Sequence, residues 1–148
     1  MAIHEFFAYL CVRDAARAID YYRDVFGASL LSRLDAPDGR VGHAELDFGG
    51  TTVMLCDEYP ELGVRGPDAA NGTSISLHIH VDNADELIER AMAAGGATLL
   101  MPAKDQFYGE RSGTILDAFG HRWIIGHSIE EVTEEEMQKR YDKQEGPC

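Results

Sequence analysis

The second half of this chain repeats the first, and this repeat constrains the fold more than any other feature of the sequence. Val12 and Val81 each close an apolar segment, and the residues that follow them match without gaps at a constant shift of 69 positions. The matched pairs are Ala15 with Ala84, Ile19 with Ile88, Gly27 with Gly96, Ala28 with Ala97, Leu30 with Leu99 and Leu31 with Leu100. The shift then becomes 70, through Leu46 with Leu116, Asp47 with Asp117 and Gly50 with Gly120. Such a repeat predicts two copies of one supersecondary unit.

Hydrophobic spacing gives the first copy the order βαβββ. Asp14 is placed to cap the helix, and Gly27 ends it. The apolar stripe of this helix is Ala15, Ala18, Ile19, Tyr22 and Phe26. The strands are predicted at 6–12, 28–34, 41–48 and 51–56. Gly-containing turns join the last three strands, as expected of antiparallel neighbours.

The second copy follows the same order. Asn83 and Glu86 form a capping box at the start of its helix, and Gly95-Gly96 ends the helix. The apolar stripe is Ala84, Leu87, Ile88, Ala91 and Met92. A strand that closes at Val81 comes before the helix, and strands near 97–101, 112–116 and 122–127 complete the copy.

These patterns divide residues 1–148, predicted as a single domain, into four parts. Module 1 spans 5–57, a linker without periodicity spans 58–74, module 2 spans 75–128, and a helical tail spans 129–148. In the tail, Thr133 and Glu136 form another capping box, acidic residues occupy the first turn and basic residues the last. We interpret this run of charges as a solvated helix face.

Composition narrows the classes of function. The net charge of −13 repels phosphate backbones and anionic lipid headgroups, which excludes nucleic acid and membrane as favoured partners and favours a neutral or cationic small molecule. No apolar run reaches the roughly 20 residues of a membrane span, and no signal-peptide pattern opens the chain, so a cytoplasmic location is expected. Cys11, Cys56 and Cys148 are too few for a disulfide framework, and free thiols are expected.

A pair of βαβββ modules with a Gly-terminated first helix resembles the vicinal-oxygen-chelate superfamily of glyoxalases, bleomycin-resistance proteins and dioxygenases, over roughly residues 5 to 128. Four segments resemble its PhnB-like branch: PDGRVGHAEL at 37–46, SLH at 76–78, DQFYGER at 105–111 and DAFGHRW at 117–123. The resemblance implies an α+β fold in which the two sheets form a half-open curved barrel, followed here by a short C-terminal helix. It also implies a ligand on the concave face and, commonly, a homodimer.

Metal-using members of that superfamily place His or Gln early in the first strand of each module and Glu in the last strand. The corresponding positions here hold Phe7, Ser76, Met54 and Ile124, none of which offers an anionic donor to a divalent cation. The resemblance therefore predicts no metal and no other cofactor at these positions.

Shifts of register leave a bound divalent metal as the alternative. A shift by two residues brings in Tyr9 and His78, with Cys56 and Gly126 as partners, which is only part of a site. A shift by four brings in Cys11 and His80, which could form a soft cluster with Cys56.

Strand alternation sorts the residues that face a ligand. Ala44, Leu46 and Phe48 share an apolar face, so His43, Glu45 and Asp47 face the other way. In the fifth strand, the same parity separates Leu77, Ile79 and Val81 from Ser76, His78 and His80. The predicted cavity residues are Phe7, Tyr9, His43, Glu45, Met54, Ser76, His78, Phe107, Tyr108, Arg111 and Ile124.

Two features of this set suggest roles. His43 and Glu45 share a face and are candidates for catalytic acid/base chemistry, with a structural hydrogen-bonded pair as the alternative. The segment 105–111 is either a lid that contributes Phe107 or Tyr108 as a stacking wall, or a turn that packs its own aromatic rings.

The sequence therefore predicts a small-molecule-binding protein that sequesters an aromatic or cationic compound without metal, as bleomycin-resistance relatives do. The alternative is a lyase, isomerase or dioxygenase that uses an unusual metal-ligand set or the pair His43 and Glu45.

Overall fold

The first unit of the chain is built on a four-stranded sheet. The computed structural model describes residues 1–144, and this unit comprises Met1–Ser74 together with Asp117–His121. Its elements are β1 (Ala8–Val12), α1 (Ala15–Phe26), β2 (Ser29–Asp35), β3 (Val41–Phe48), β4 (Thr51–Asp57) and a 3₁₀ turn at Pro60–Leu62. The strand order is β1-β4-β3-β2, with β1 parallel to β4 and the other pairs antiparallel. This is the predicted βαβββ order.

Helix α1 covers one face of this sheet, and it has the caps and the buried apolar stripe that its sequence predicts. The Asp14 carboxylate accepts a hydrogen bond from the Arg17 backbone N–H at 3.1 Å, and Gly27 ends the helix at φ 69°. The predicted stripe is buried except at its end, where Val25 is buried and Phe26 is only half-buried. Burial of such a face provides most of a helix's stability in a protein.

The second unit repeats this arrangement with Ile75–Leu116 and the chain from Arg122 onward. Its elements are β5 (Ser76–His80), α2 (Ala84–Ala93), β6 (Thr98–Asp105), β7 (Glu110–Leu116), β8 (Arg122–Ser128) and α3 (Glu134–Tyr141). The strand order is β5-β8-β7-β6, again with a parallel first pair. The fold class, two βαβββ modules and a short C-terminal helix, is confirmed.

The turn between β7 and β8, Asp117–His121, is part of the first unit because its contacts are mainly with that unit. Asp117 is 3% exposed, and its Oδ2 accepts a 2.6 Å hydrogen bond from the hydroxyl of Tyr22. Its Oδ1 accepts from the backbone N–H groups of Phe119 and His121 at 2.8 and 2.9 Å. The His121 ring nitrogen Nε2 lies 3.0 Å from the carbonyl oxygen of Cys11 in β1. The turn is thereby fixed against the first module's helix and edge strand.

Helix α3 has no buried residue, as expected of a solvated charged face. Thr133 Oγ1 accepts a 3.2 Å hydrogen bond from the Glu136 backbone N–H, and Arg140 pairs with Glu130 and Glu136. Residues 145–148, with Cys148 and the end of the predicted tail, lie outside the described residues.

Candidate functional site

Three polar side chains form a hydrogen-bonded chain on the face of the first sheet that α1 does not cover. The strand register places Tyr9 beside Met54 and Met54 beside Glu45. The Tyr9 hydroxyl lies 2.6 Å from His43 Nδ1, and His43 Nε2 lies 3.2 Å from Glu45 Oε1. A proton on Nε2 satisfies both contacts, because the ring then donates to Glu45 and accepts from Tyr9. Strand alternation in β3 is as predicted, since Ala44 and Leu46 are fully buried on the opposite face.

Tyr9, the first member of this hydrogen-bonded chain, also lines a cavity of 580 Å³. Its side chains are two phenols, two thiols and two aliphatic groups, and Gly42 leaves part of the wall without a side chain. The lining residues are Tyr9, Cys11, Gly42, Cys56, Tyr59, Leu62 and Val64. All of them belong to the first unit. Because the lining is largely apolar with a few hydroxyl and thiol groups, the cavity suits an amphipathic molecule.

An ion-pair network holds Tyr59 at the rim of the cavity. The Arg40 guanidinium lies over the Tyr59 ring, with Cζ 3.8 Å from the ring centroid. Its Nη2 donates to Glu61 Oε1 at 2.7 Å, and its Nε donates to Asp38 Oδ2 at 2.8 Å. These hydrogen bonds raise the pKa of Arg40 and lower the pKa of the Asp38 and Glu61 carboxyls. The tyrosine wall is therefore fixed in place by a cation that stays charged at all ordinary pH values.

Cys11 and Cys56 lie directly opposite each other on the parallel strands β1 and β4. Burial, and next the neighbouring Cys56 thiol, raise the pKa of Cys11 to about 12. Burial also raises the pKa of Cys56 and is the largest cause of the raised pKa of Tyr9. The cavity wall therefore carries neutral thiol and phenol groups at neutral pH.

In the second unit, β5 presents His78 and His80 on one face, as the alternation predicts. Both side chains approach Glu110 of β7: His78 Nε2 lies 3.3 Å from Oε2, and His80 Nε2 lies 2.5 Å from Oε1. Sequence reasoning placed His78 in the cavity set but did not include Glu110. The structure therefore brings together a histidine pair and a carboxylate.

The positions at which metal-using superfamily members carry ligands do not fit a metal here. Phe7 precedes β1, and Met54 lies in β4 between Tyr9 and Glu45. Ser76 and Ile124 belong to β5 and β8 of the second unit. A phenyl ring, a thioether, a hydroxyl and an alkyl group supply no anionic donor to balance the charge of a divalent ion.

The segment 105–111 comprises the end of β6, a tight turn at 106–109 and the start of β7. Gln106 N donates to Glu110 O at 2.7 Å, and the rings of Phe107 and Tyr108 meet edge to face at 5.2 Å. Arg111 donates to Asp85 at 2.7 and 2.9 Å. These residues lie in the second unit and do not line the 580 Å³ cavity, and the Phe107 ring also lies 5.7 Å from that of Tyr141 in α3. The lid and the self-packing turn both stay predictions.

Among the predicted cavity residues, only Tyr9 lines the cavity in the described part of the chain. Sequence reasoning missed Tyr59, Leu62 and Val64 because they lie in the segment interpreted as a linker. Cys11 and Cys56 could have been included, since their parity places them on the same face as Tyr9 and Met54.

Comparison with known proteins assigns the family. Residues 3–125 match the model of the Glyoxalase/Bleomycin resistance protein/Dioxygenase superfamily, and the chain belongs to this superfamily. It is 40% identical over 139 residues to the uncharacterized protein Mb0911c of Mycobacterium bovis, a match that spans 92% of this chain and 91% of Mb0911c. It is 30% identical to TioX from Micromonospora sp. ML1, with a TM-score of 0.65 over 85% of this chain and 99% of TioX.

A PhnB protein from Bacillus cereus shares the fold at 18% identity and a TM-score of 0.67, with 84% of this chain and all (100%) of that chain covered. These findings confirm the resemblance. Within residues 1–144, no helix is long and apolar enough to cross a membrane.

Proposed function

We propose that this protein binds an aromatic or cationic small molecule in the cavity of the first unit and sequesters it without metal. The observation that carries the proposal is the 580 Å³ cavity lined by two tyrosines, two neutral thiols and aliphatic side chains. Its volume falls within the range of about 300–1,000 Å³ that is usual for small-molecule sites. Membership of a superfamily that includes bleomycin-resistance proteins supports it.

The lining and the overall charge favour an aromatic or cationic ligand. Tyr9 and Tyr59 offer ring faces for stacking and for cation–π contact. The net charge of −13 raises the local concentration of cations and lowers that of anions. Because Arg40 is already paired with two carboxylates, it adds little attraction for an anionic ligand.

The hydrogen-bonded chain Tyr9–His43–Glu45 favours a second candidate function, that of a metal-free lyase or isomerase. The Tyr9 hydroxyl lines the cavity, and it is hydrogen-bonded to an imidazole that is itself oriented by a carboxylate. Such a chain can move a proton between a bound molecule and His43. Turnover separates this candidate from sequestration.

The test of the proposal is a thermal-shift screen with aromatic and cationic compounds, followed by calorimetry on any compound that stabilises the protein. Gly42→Leu adds four carbon atoms toward the cavity, where a Cβ at this position meets the Tyr59 hydroxyl at 3.5 Å. We expect this variant to weaken binding at least about tenfold, which is roughly 1.4 kcal/mol. Thr51→Leu adds a leucine to an exposed β4 position outside the cavity and serves as the matched control. Equal affinity in all three proteins would contradict the proposal.

The bound compound should be recovered chemically unchanged by mass spectrometry after prolonged incubation. Conversion of the compound, abolished in a His43→Ala variant, would establish the second candidate instead. The predicted homodimer and cytoplasmic location stay predictions, and light scattering during size-exclusion chromatography tests the former.

A further inference from the structure

The side chains of His78, His80 and Glu110 converge on one point of the second unit's sheet, and none of them lines the cavity of the first unit. The alternation of β5 places the two imidazoles on the same face, with ring centroids 5.2 Å apart. One ligand atom from each of the three residues lies within 4.8 Å of the others. Two nitrogen donors and one carboxylate are a common ligand set for transition metals in proteins.

Glycine at position 126 allows this convergence. The β8 strand separates β5 from β7, and Gly126 pairs with His80 on one side and with Ser112 on the other. A Cβ built at Gly126 would lie 3.2 Å from Glu110 Oε2 and 3.1 Å from the Ser112 Cβ. The carboxylate therefore passes β8 close to the position that a Cβ at residue 126 would take, and a side chain there would press on it.

The Glu110 carboxylate is held in surroundings that call for a positive charge. Its side chain is only 15% exposed, and its Oε2 is buried without a hydrogen-bond partner in the described part of the chain. A buried carboxylate oxygen with no donor costs free energy unless a cation or a donor balances it. His78 Nε2 lies 3.3 Å from this oxygen, and a metal ion between them would neutralise it.

We propose that His78, His80 and Glu110 bind one divalent transition-metal ion of the Zn²⁺ or Fe²⁺ type. Ligands at about 2.1 Å from a tetrahedral ion lie about 3.4 Å apart, which agrees with the 3.3 Å between His78 Nε2 and Glu110 Oε2. The 2.5 Å between His80 Nε2 and Glu110 Oε1 is a hydrogen bond, which the ion would replace as His80 moves away from that oxygen. The histidine side chains are 41% and 59% exposed, so an ion can reach the site from solvent. Three protein ligands leave positions for water or for an oxygen atom of a small molecule.

The site differs from the superfamily's usual metal positions. Its two histidines lie in β5, two and four residues after Ser76. Its carboxylate comes from β7 and not from β8. All three ligands belong to the second unit. The metal site and the ligand cavity therefore share no residue, and metal titration tests the first independently of compound binding to the second.

The experiment titrates untagged, metal-stripped full-length protein with Zn²⁺ by calorimetry and with Co²⁺ by absorption spectroscopy. We expect one ion per chain and a Co²⁺ spectrum without thiolate charge-transfer bands. Either His80→Ala or Glu110→Gln should weaken the affinity at least about 100-fold, above the 10- to 100-fold loss typical when only an outer partner of a ligand is removed. The matched control is His43→Ala, which breaks the His–Glu pair of the first unit and should leave Zn²⁺ affinity unchanged.

A second variant leaves all three ligands in the protein. Gly126→Ala shifts the carboxylate by a few tenths of an ångström and should weaken Zn²⁺ binding by a few-fold, although His78, His80 and Glu110 are intact. Circular dichroism of each metal-free variant shows whether it is folded before its affinity is compared. Absence of binding at micromolar Zn²⁺, retention of the ion in the double variant His78→Ala/His80→Ala, or thiolate bands from Cys11 and Cys56 would each overturn the proposal.

Discussion

Adjacent tyrosines in α1 should respond differently to the same substitution. The Tyr22 side chain is fully buried, and its hydroxyl donates a 2.6 Å hydrogen bond to Asp117 Oδ2. A hydrogen bond to a charged group contributes about 1.5–3 kcal/mol to stability. Tyr22→Phe should therefore lower the free energy of unfolding by about that amount and the melting temperature by roughly 3–12 °C. The loss also loosens the turn that brings His121 to the Cys11 carbonyl beside the cavity.

The matched control is Tyr21→Phe. The Tyr21 hydroxyl is buried without a hydrogen-bond partner among residues 1–144, and burial raises its pKa to about 12. Removing an unsatisfied buried hydroxyl relieves a desolvation cost, so stability should stay unchanged or rise by up to about 1 kcal/mol. Urea and thermal unfolding, followed by circular dichroism, measure both variants. Equal losses for the two substitutions, or a larger loss for Tyr21→Phe, would refute the assignment of hydrogen bonds.

Two further predictions concern the thiols and the turn glycines. The Cys11 pKa is raised to about 12 from an ordinary value of 9.0, so its contribution to stability is fully present below pH 9 and is lost as pH rises toward 12. Stability between pH 9 and 12 should fall less steeply in Cys11→Ala, and alkylation of native Cys11 at pH 7.5 should be far slower than in urea. Gly120 and Gly39 share φ 89°, but only a Cβ at Gly120 meets Pro67, at 2.9 Å. Gly120→Ala should therefore cost roughly 1–3 kcal/mol more than Gly39→Ala in chemical unfolding, and equal costs would contradict the contact.

Most of the fold could be predicted from the sequence because the internal repeat and the helix caps are local signals. β6 is the clearest exception, since the prediction ends at residue 101 and the strand extends over Thr98–Asp105. Pro102 argues against a strand, because proline cannot donate to a ladder. β6 is an edge strand of its sheet, however, and an edge position tolerates proline.

The candidate site was less predictable because it depends on contacts between distant residues. The cavity wall at Tyr59 is fixed by Arg40, and no local periodicity signals this contact. Likewise, Glu110 reaches His80 across β8, which lies between their strands and carries glycine at position 126. Strand parity identified the histidine face but could not identify a partner two strands away.

Localisation of a bound compound by nuclear magnetic resonance tests the central claim most directly. The compound that stabilises the protein most in the screen is titrated into isotope-labelled protein, and backbone amide shifts are followed. Sequestration in the first-unit cavity predicts saturable shifts at Tyr9, Cys56, Tyr59 and Val64, with the compound recovered unchanged. Shifts confined to the second unit, or release of a chemically altered product, would contradict it.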